Sequence, residues 1–205
     1  MGTVADVAAV TGLREQKKQK TQAALQRAAL ELVAAHGFDR VTIDDIAAAA
    51  GVSRTTFYRY LATKEDALLG NRAEKLEHLR NALAAQPLDS PPLEAVRAAI
   101  SEVARSYQHD RRQMLALAKI TRVTPSVAAR SLEYDAALED LLREYFARRD
   151  PDGAASLRPW VRAAHVVATL RAARDYWVTR GAAASLPDLV DDALRIRTDD
   201  EGVHR

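Results

Sequence analysis

Thr42, Ser53, Arg54, Thr55, Thr56, Tyr58, Tyr60 and Lys64 concentrate hydroxyls and cations in a short stretch of a 205-residue chain. Hydroxyls donate and accept hydrogen bonds, and guanidinium and ammonium groups only donate, so the set suits phosphate oxygens and base edges. Nothing comparable points to bond-breaking chemistry. The chain has no cysteine, which excludes disulfides, thiolate metal sites and a cysteine nucleophile. His36, His78, His109, His165 and His204 are scattered, and none pairs with another at ligand spacing, so no metal is expected. No glycine-rich nucleotide loop and no serine in a nucleophile elbow occurs. No catalytic residue and no cofactor is therefore expected.

The elements that must hold these groups are short. Thr42 precedes Ile43, Ile46, Ala47 and Ala50, whose spacing of three and four places them on one helical face. Asp45 sits where it can complete a capping box with Thr42, and Asp44 adds negative charge at the favourable end of the helix dipole. Gly51 predicts a sharp left-handed stop. Ser53 then caps a second helix, with Val52 and Phe57 packing inward and Arg54, Thr55, Thr56, Tyr58, Arg59 and Tyr60 left mostly outside. A short helix that shows hydrogen-bonding groups at its N-terminal end fits a DNA major groove. Thr63 and Asp66 predict a further capping box, with Lys64 in the first turn, a poor place for the dipole and a good one for a phosphate.

Upstream, Lys20 or Thr21 to His36 carries Leu25, Ala28, Ala29, Leu32 and Val33 at helical spacing, and Gly37 ends it. Arg14, Lys17, Lys18 and Lys20 form a basic run, readable as a phosphate track or as a solvated tail. The net charge is only +2, yet from Arg14 to Lys64 nine cations face five acids, so the excess lies at one end. No segment is apolar enough to span a bilayer and no secretory signal is visible, which predicts a cytoplasmic protein with no membrane partner.

Beyond Thr63 the helical pattern continues to about Leu83 or Ala84, which predicts one rigid helix shared by two domains. Pro87, Pro91 and Pro92 break the pattern, and Ser90 is read as the cap of a helix starting at Pro91. Three further helices are expected: Arg111 to Thr121, apolar over more than one face and so central; Thr124 to about Arg149; and Ser156 to Arg180, stopped by Gly181. A last one runs from Pro187 to about Ile196. On the penultimate helix Trp160, Ala163, Val167, Leu170 and Trp177 form one stripe, and Ala164, Ala168 and Ala172 form a small-residue seam. Two stripes need two partners, so the seam, with Leu189 and Leu194, is assigned to a homodimer interface. The fold class is all-α, with a tail at 1–16, a helix-turn-helix domain at 17–65, a helical domain at 66–198 and a tail at 199–205.

The run from Thr21 to Leu69, with the G-V-S-x-x-T-F-Y core at Gly51 to Tyr58 and Lys64 beyond, resembles the TetR family of bacterial transcriptional regulators. The resemblance implies that Thr42 and Thr56 meet phosphates, that Tyr58, Tyr60 and Lys64 grip the backbone, and that Arg54 and Thr55, with Tyr58 as a further candidate, face bases. Asp44 stands where some relatives carry a basic contact, so that contact is not carried over. The C-terminal half is similar to the effector domain of mycofactocin-type TetR regulators, through LALAKITRVTPSVAARSLEYDAALEDLL, which makes fatty acyl thioesters or other hydrophobic compounds effectors to test.

The function expected is a ligand-responsive regulator, commonly a repressor, that binds a near-palindromic double-stranded DNA operator as a homodimer. An effector would tilt the Thr63 to Leu83 helix. Its pocket is expected among Tyr107, Met114, Leu117, Leu138, Leu142, His165, Val166 and Leu170, although most of these residue types serve equally as ordinary core. Arg171 is expected to pair with an acid or reach solvent. The alternative is a helical small-molecule-binding protein whose DNA module is degenerate.

Overall fold

In the computed structural model the described residues are 4–70, 72–106 and 111–196, with side chains described from residue 16 onward and that of residue 106 left aside. They form ten α-helices, two single-turn 3-10 segments and no strand. By contact grouping the chain divides into two units, one comprising the chain up to Arg72 together with Ala116–Ser131, the other Ala73–Leu115 with Leu132 onward.

The first unit contains α1 (Val4–His36), α2 (Ile43–Ala49), α3 (Arg54–Tyr60) and α4 (Lys64–Leu69). The helix expected to begin at Lys20 or Thr21 starts instead at Val4, so part of the expected tail is helical. The three predicted caps form as the side-chain chemistry requires. Thr42 and Thr63 each accept the backbone N–H three residues on while Asp45 and Asp66 reach back, and Ser53 accepts from the Thr56 N–H. Gly51 has φ 69°, and the N–H groups of Gly51 and Val52 return to the carbonyls of Ala48 and Ala47, which closes α2 in a Schellman motif. Leu25, Ala29, Ile46, Phe57, Ala67 and Leu68 are fully enclosed, and they are joined in this core by Ile120 and Val127 from the Ala116–Ser131 stretch.

The long helix expected from Thr63 to Leu83 is broken. α4 ends at Leu69, Gly70 takes φ 72°, and α5 (Arg72–Ala84) starts afresh. Only glycine adopts that φ without strain, and the Gln26 amide Nε2 takes the Leu68 carbonyl (3.2 Å) that a continuing helix would have used. The apolar periodicity runs on across Gly70, which is why the pattern alone reads as one helix.

The second unit is built from α5, α6 (Pro92–Ser106), the first turn and a half of α7 (Arg111–Val123), most of α8 (Pro125–Ala147), α9 (Arg158–Thr179) and α10 (Leu186–Arg195). α6 begins one residue later than Ser90 and Pro91 suggest. The core follows the helical period on α8, with Leu138, Leu141, Leu142, Tyr145 and Phe146 packed against Val96, Ala99, Ala163, Val166 and Val167. α7 is less central than its composition suggests, since only Ile120 is buried, Val123 is exposed and the other apolar residues are half-buried. α10 is fixed to α6 by Asp191, whose two oxygens accept from Arg97 (2.7 Å) and Arg195 (2.7 Å). The hydrogen bond from Arg97 is the main reason the Asp191 carboxyl titrates below the ordinary aspartate range.

Candidate functional site

The predicted polar residues of the first unit come together at the start of α2 and along α3. Thr55 and Tyr58 are exposed, Thr56 and Tyr60 half-buried, and Phe57 between them is fully enclosed, so α3 is anchored by one ring and shows its polar face outward. The Phe57 ring meets Tyr58 edge-on at 5.6 Å. Arg59 lies over the Tyr60 ring, 4.9 Å from its centroid. The hydroxyls are largely committed to local structure. Thr42 Oγ1 donates to Asp45 Oδ2 (2.6 Å), and Ser53 Oγ is 3.0 Å from Thr56 Oγ1. The bonds from Thr42 hold the Asp45 carboxyl below its usual range.

Arg54, the first residue of α3, donates through Nη1 to Asp44 Oδ2 on α2 at 2.9 Å, and its guanidinium carbon stands 5.7 Å from the Tyr58 ring centre. A hydrogen bond with Tyr58 and the Asp44 charge both raise the Arg54 pKa. Asp44, an acid where a basic contact is not expected to carry over, is the partner of the arginine beside it in space.

Lys64, expected at a phosphate, is also engaged within the protein. Its ammonium donates to the carbonyls of Phe38 (2.6 Å) and Val41 (2.8 Å) and sits 4.0 Å from the Phe38 ring centre. It therefore ties the start of α4 to the α1–α2 connection. Neighbouring Asp66 accepts both the Thr63 N–H (3.1 Å) and Arg130 Nε (3.0 Å). Burial acts to raise the Asp66 pKa, but the bonds from Arg130 and Thr63 outweigh it and the carboxyl is held low. Neither Phe38 as a partner of Lys64 nor Arg130 as a partner of Asp66 was visible from spacing, since both pairs are distant in sequence.

The second unit carries an open, mostly apolar cavity of about 710 Å³, with Lys75, Arg105 and Arg111 among its lining residues. Of the predicted pocket residues, Met114, Leu138 and Leu170 line it. The others lie elsewhere. Leu142 and Val166 are wholly enclosed in the helical core, Leu117 packs in the first unit, and His165 points to solvent from α9. Tyr107 lies outside the described residues. Pattern reading missed Trp177 and the turn after α9, both in the cavity wall. Trp177 Nε1 donates to the Ala184 carbonyl at 2.7 Å, while Gly181 (φ 66°) and Ala182 (φ 55°) bring the chain back toward it.

On α9, Ala164, Ala168 and Ala172 are exposed in the single chain, alongside Trp160, Val161 and Tyr176. Trp160 thus leaves the inward stripe to which its spacing assigned it, and Arg143 lies over its ring at 4.5 Å. Leu194 is buried in its own unit's core and Leu189 is half-buried, so Leu194 is not available to a partner. Arg171 pairs with Asp135 at 3.5 Å, as expected.

A capped helix-turn-helix in one unit and a cavity-bearing helical bundle in the other define a helix-turn-helix transcriptional regulator. The chain belongs to the TetR family. The bacterial regulatory proteins, tetR family, match residues 25–69, and the MftR C-terminal domain matches residues 90–199. A Mycobacterium tuberculosis protein named as the mycofactocin biosynthesis transcriptional regulator MftR is 29% identical over 175 residues, 82% of this chain and 84% of the relative. Two solved structures share the fold. One is the fatty acid degradation regulator FadR from Bacillus halodurans (TM-score 0.57, 20% identity, 85% of this chain and 92% of that one). The other is the Thermus thermophilus repressor FadR in complex with lauroyl-CoA (TM-score 0.53, 24% identity, 85% and 91%). Among the described residues no helix is long and apolar enough to cross a membrane.

Proposed function

We propose that this TetR-family regulator is a repressor that binds a near-palindromic operator as a homodimer and changes its grip when an amphipathic effector fills the second unit's cavity. The observation that carries the reading is the α3 face, where a capped helix start exposes Arg54, Thr55 and Tyr58 beside the half-buried Thr56. Such a helix enters a major groove, and two of them in a dimer read half-sites roughly one helical turn, about 34–36 Å, or a multiple of it apart. Thr42, Ser53, Thr56, Tyr58 and Tyr60 serve phosphates, and Arg54 and Thr55 serve bases. Lys64 contributes chiefly by holding the module in shape. The exposed alanine face of α9 supports dimerisation through close helix approach.

The cavity's apolar walls with Lys75, Arg105 and Arg111 favour an effector with an acyl-like body and an anionic head. The lauroyl-CoA complex of a protein with this fold makes acyl thioesters the first compounds to test. Because α4 and α5 are separate helices, the route from effector to DNA differs from the tilting of one rigid helix. Arg111, Met114, Tyr134 and Leu138 line the cavity, and in sequence they bracket Ala116–Ser131, which packs with the helix-turn-helix through Ile120, Val127 and Arg130. An effector that favours one arrangement of those bracketing residues biases the segment between them, to the extent of its differential affinity.

The test is selection from a random duplex pool followed by a ligand-release screen of acyl thioesters and free fatty acids. A palindromic motif, released by an acyl compound, supports the reading. Failure to enrich any duplex, or retention unchanged by substitution of Arg54, Thr55 and Tyr58, overturns it.

A further inference from the structure

We infer that Asp44 is a specificity-determining positioning residue: it holds Arg54 in a base-reading orientation and, by its own charge, weakens sequence-independent attraction to phosphate. The inference rests on the DNA-binding reading above and deepens it.

Arg54 stands at the first position of α3, where recognition helices meet base edges. An unrestrained arginine there has two competing targets, the base beneath it and the nearer phosphates, and phosphate carries no sequence information. In this structure the guanidinium has two neighbours. Asp44 from α2 takes Nη1 at 2.9 Å, and the guanidinium carbon lies over the ring of Tyr58, one turn along α3, 5.7 Å from its centre. A guanidinium has five donors in a rigid fork, so engaging one nitrogen leaves donors for the paired acceptors of a guanine edge. Both side chains of the pair are 61% exposed. In water such a pair adds little to stability. In a groove that excludes water the same charges interact much more strongly, so the pair's effect appears on binding.

The second part follows from sign. Asp44 is an acid on the surface that would meet a polyanion, next to the only cation at the start of α3. It opposes the counterion-release attraction that every duplex offers equally. Asp44 thus lowers affinity for all sequences while raising the ratio between the right one and the rest.

The experiment compares the full-length protein with Asp44→Asn, Asp44→Glu, Arg54→Ala and the Asp44→Asn/Arg54→Ala double variant. Each is measured on the motif enriched by the wild-type protein, on single-base variants of it and on a scrambled duplex, over a salt series. Asp44→Asn is expected to bind the scrambled duplex more tightly, to steepen the log–log salt slope by about 0.9, one phosphate's worth, and to lose at least about fivefold discrimination at one base pair, the lower end of what a bidentate arginine supplies. Asp44→Glu recovers part of that discrimination, and in the Arg54→Ala background Asp44→Asn changes the salt slope but not the base preference. Thermal unfolding without DNA stays unchanged, which separates positioning from folding. Base preference unaltered in Asp44→Asn, or altered equally with and without Arg54, overturns the inference. If the wild-type protein enriches no duplex, the DNA-binding reading fails first and takes this one with it.

Discussion

Replacing Lys64 by methionine keeps the aliphatic stem and removes the ammonium that bridges the Phe38 and Val41 carbonyls. Hydrogen bonds to a charged group contribute about 1.5–3 kcal/mol each, and a cation over an aromatic face about 0.5–1 kcal/mol at an exposed site. Lys64 and Phe38 are half-buried and Val41 is buried, so water replaces only part of what is lost. The net destabilisation is therefore placed at about 2–3 kcal/mol, which in a chain of this size lowers Tm by about 4–12 °C. Thermal and urea unfolding of Lys64→Met in the absence of DNA reads this directly. The variant also loses affinity for every duplex alike, but in step with its loss of folded protein. If Lys64→Met unfolds within about 1 °C of wild type while its DNA retention falls and its salt slope drops by about 0.9, the ammonium acts on phosphate and the bridging role is refuted.

Gly70→Ala is expected to destabilise by about 1–2 kcal/mol, because alanine at φ 72° is strained and its Cβ would stand 3.1 Å from the Gln26 amide. A stabilised protein with higher helix content by circular dichroism would show that α4 and α5 join into one helix. Asp191 has a lowered pKa, so its pairing with Arg97 and Arg195 contributes fully above the unfolded aspartate value near 3.9 and is lost as pH falls through the lower folded value. The Tm difference between wild type and Asp191→Asn should be constant above about pH 5 and vanish in stronger acid. A difference that grows on acidification would contradict the assignment. Trp177 lines the cavity and Trp160 lies exposed on α9. A cavity ligand is thus expected to change the fluorescence of Trp160→Phe protein as it does the wild type, and to leave Trp177→Phe nearly silent.

The parts of the molecule legible in the sequence are those written in local chemistry. A threonine three residues before an aspartate, or a glycine after an apolar helical run, specifies a backbone event within one turn, so the caps at Thr42, Ser53 and Thr63 and the stops at Gly37, Gly51 and Gly181 could be placed from residue types alone. Gly70 shows where that reading is weakest. It lies inside an unbroken apolar pattern, and its effect depends on Gln26, distant in sequence but adjacent in space.

Side-chain partnership is less legible, for one physical reason. Periodicity says which residues share a helix face, but not what that face meets. Leu142 and Val166 have the residue types of a pocket wall and are sealed in the core, whereas Met114, Leu138 and Leu170 reach the cavity. Charge and spacing alone do not reveal the partners that packing brings near, two carbonyls across the α1–α2 connection for Lys64 and Arg54 on the next helix for Asp44. A charge at a nucleic-acid surface is spoken for by its protein neighbours before DNA arrives, and its contribution to binding is the difference between those bonds and the ones DNA offers. Giving up the existing bonds is costly for Lys64, whose bonds hold the module together. For Arg54, held by an exposed carboxylate and beside the Tyr58 ring, it costs little, which leaves the arginine oriented and still able to read.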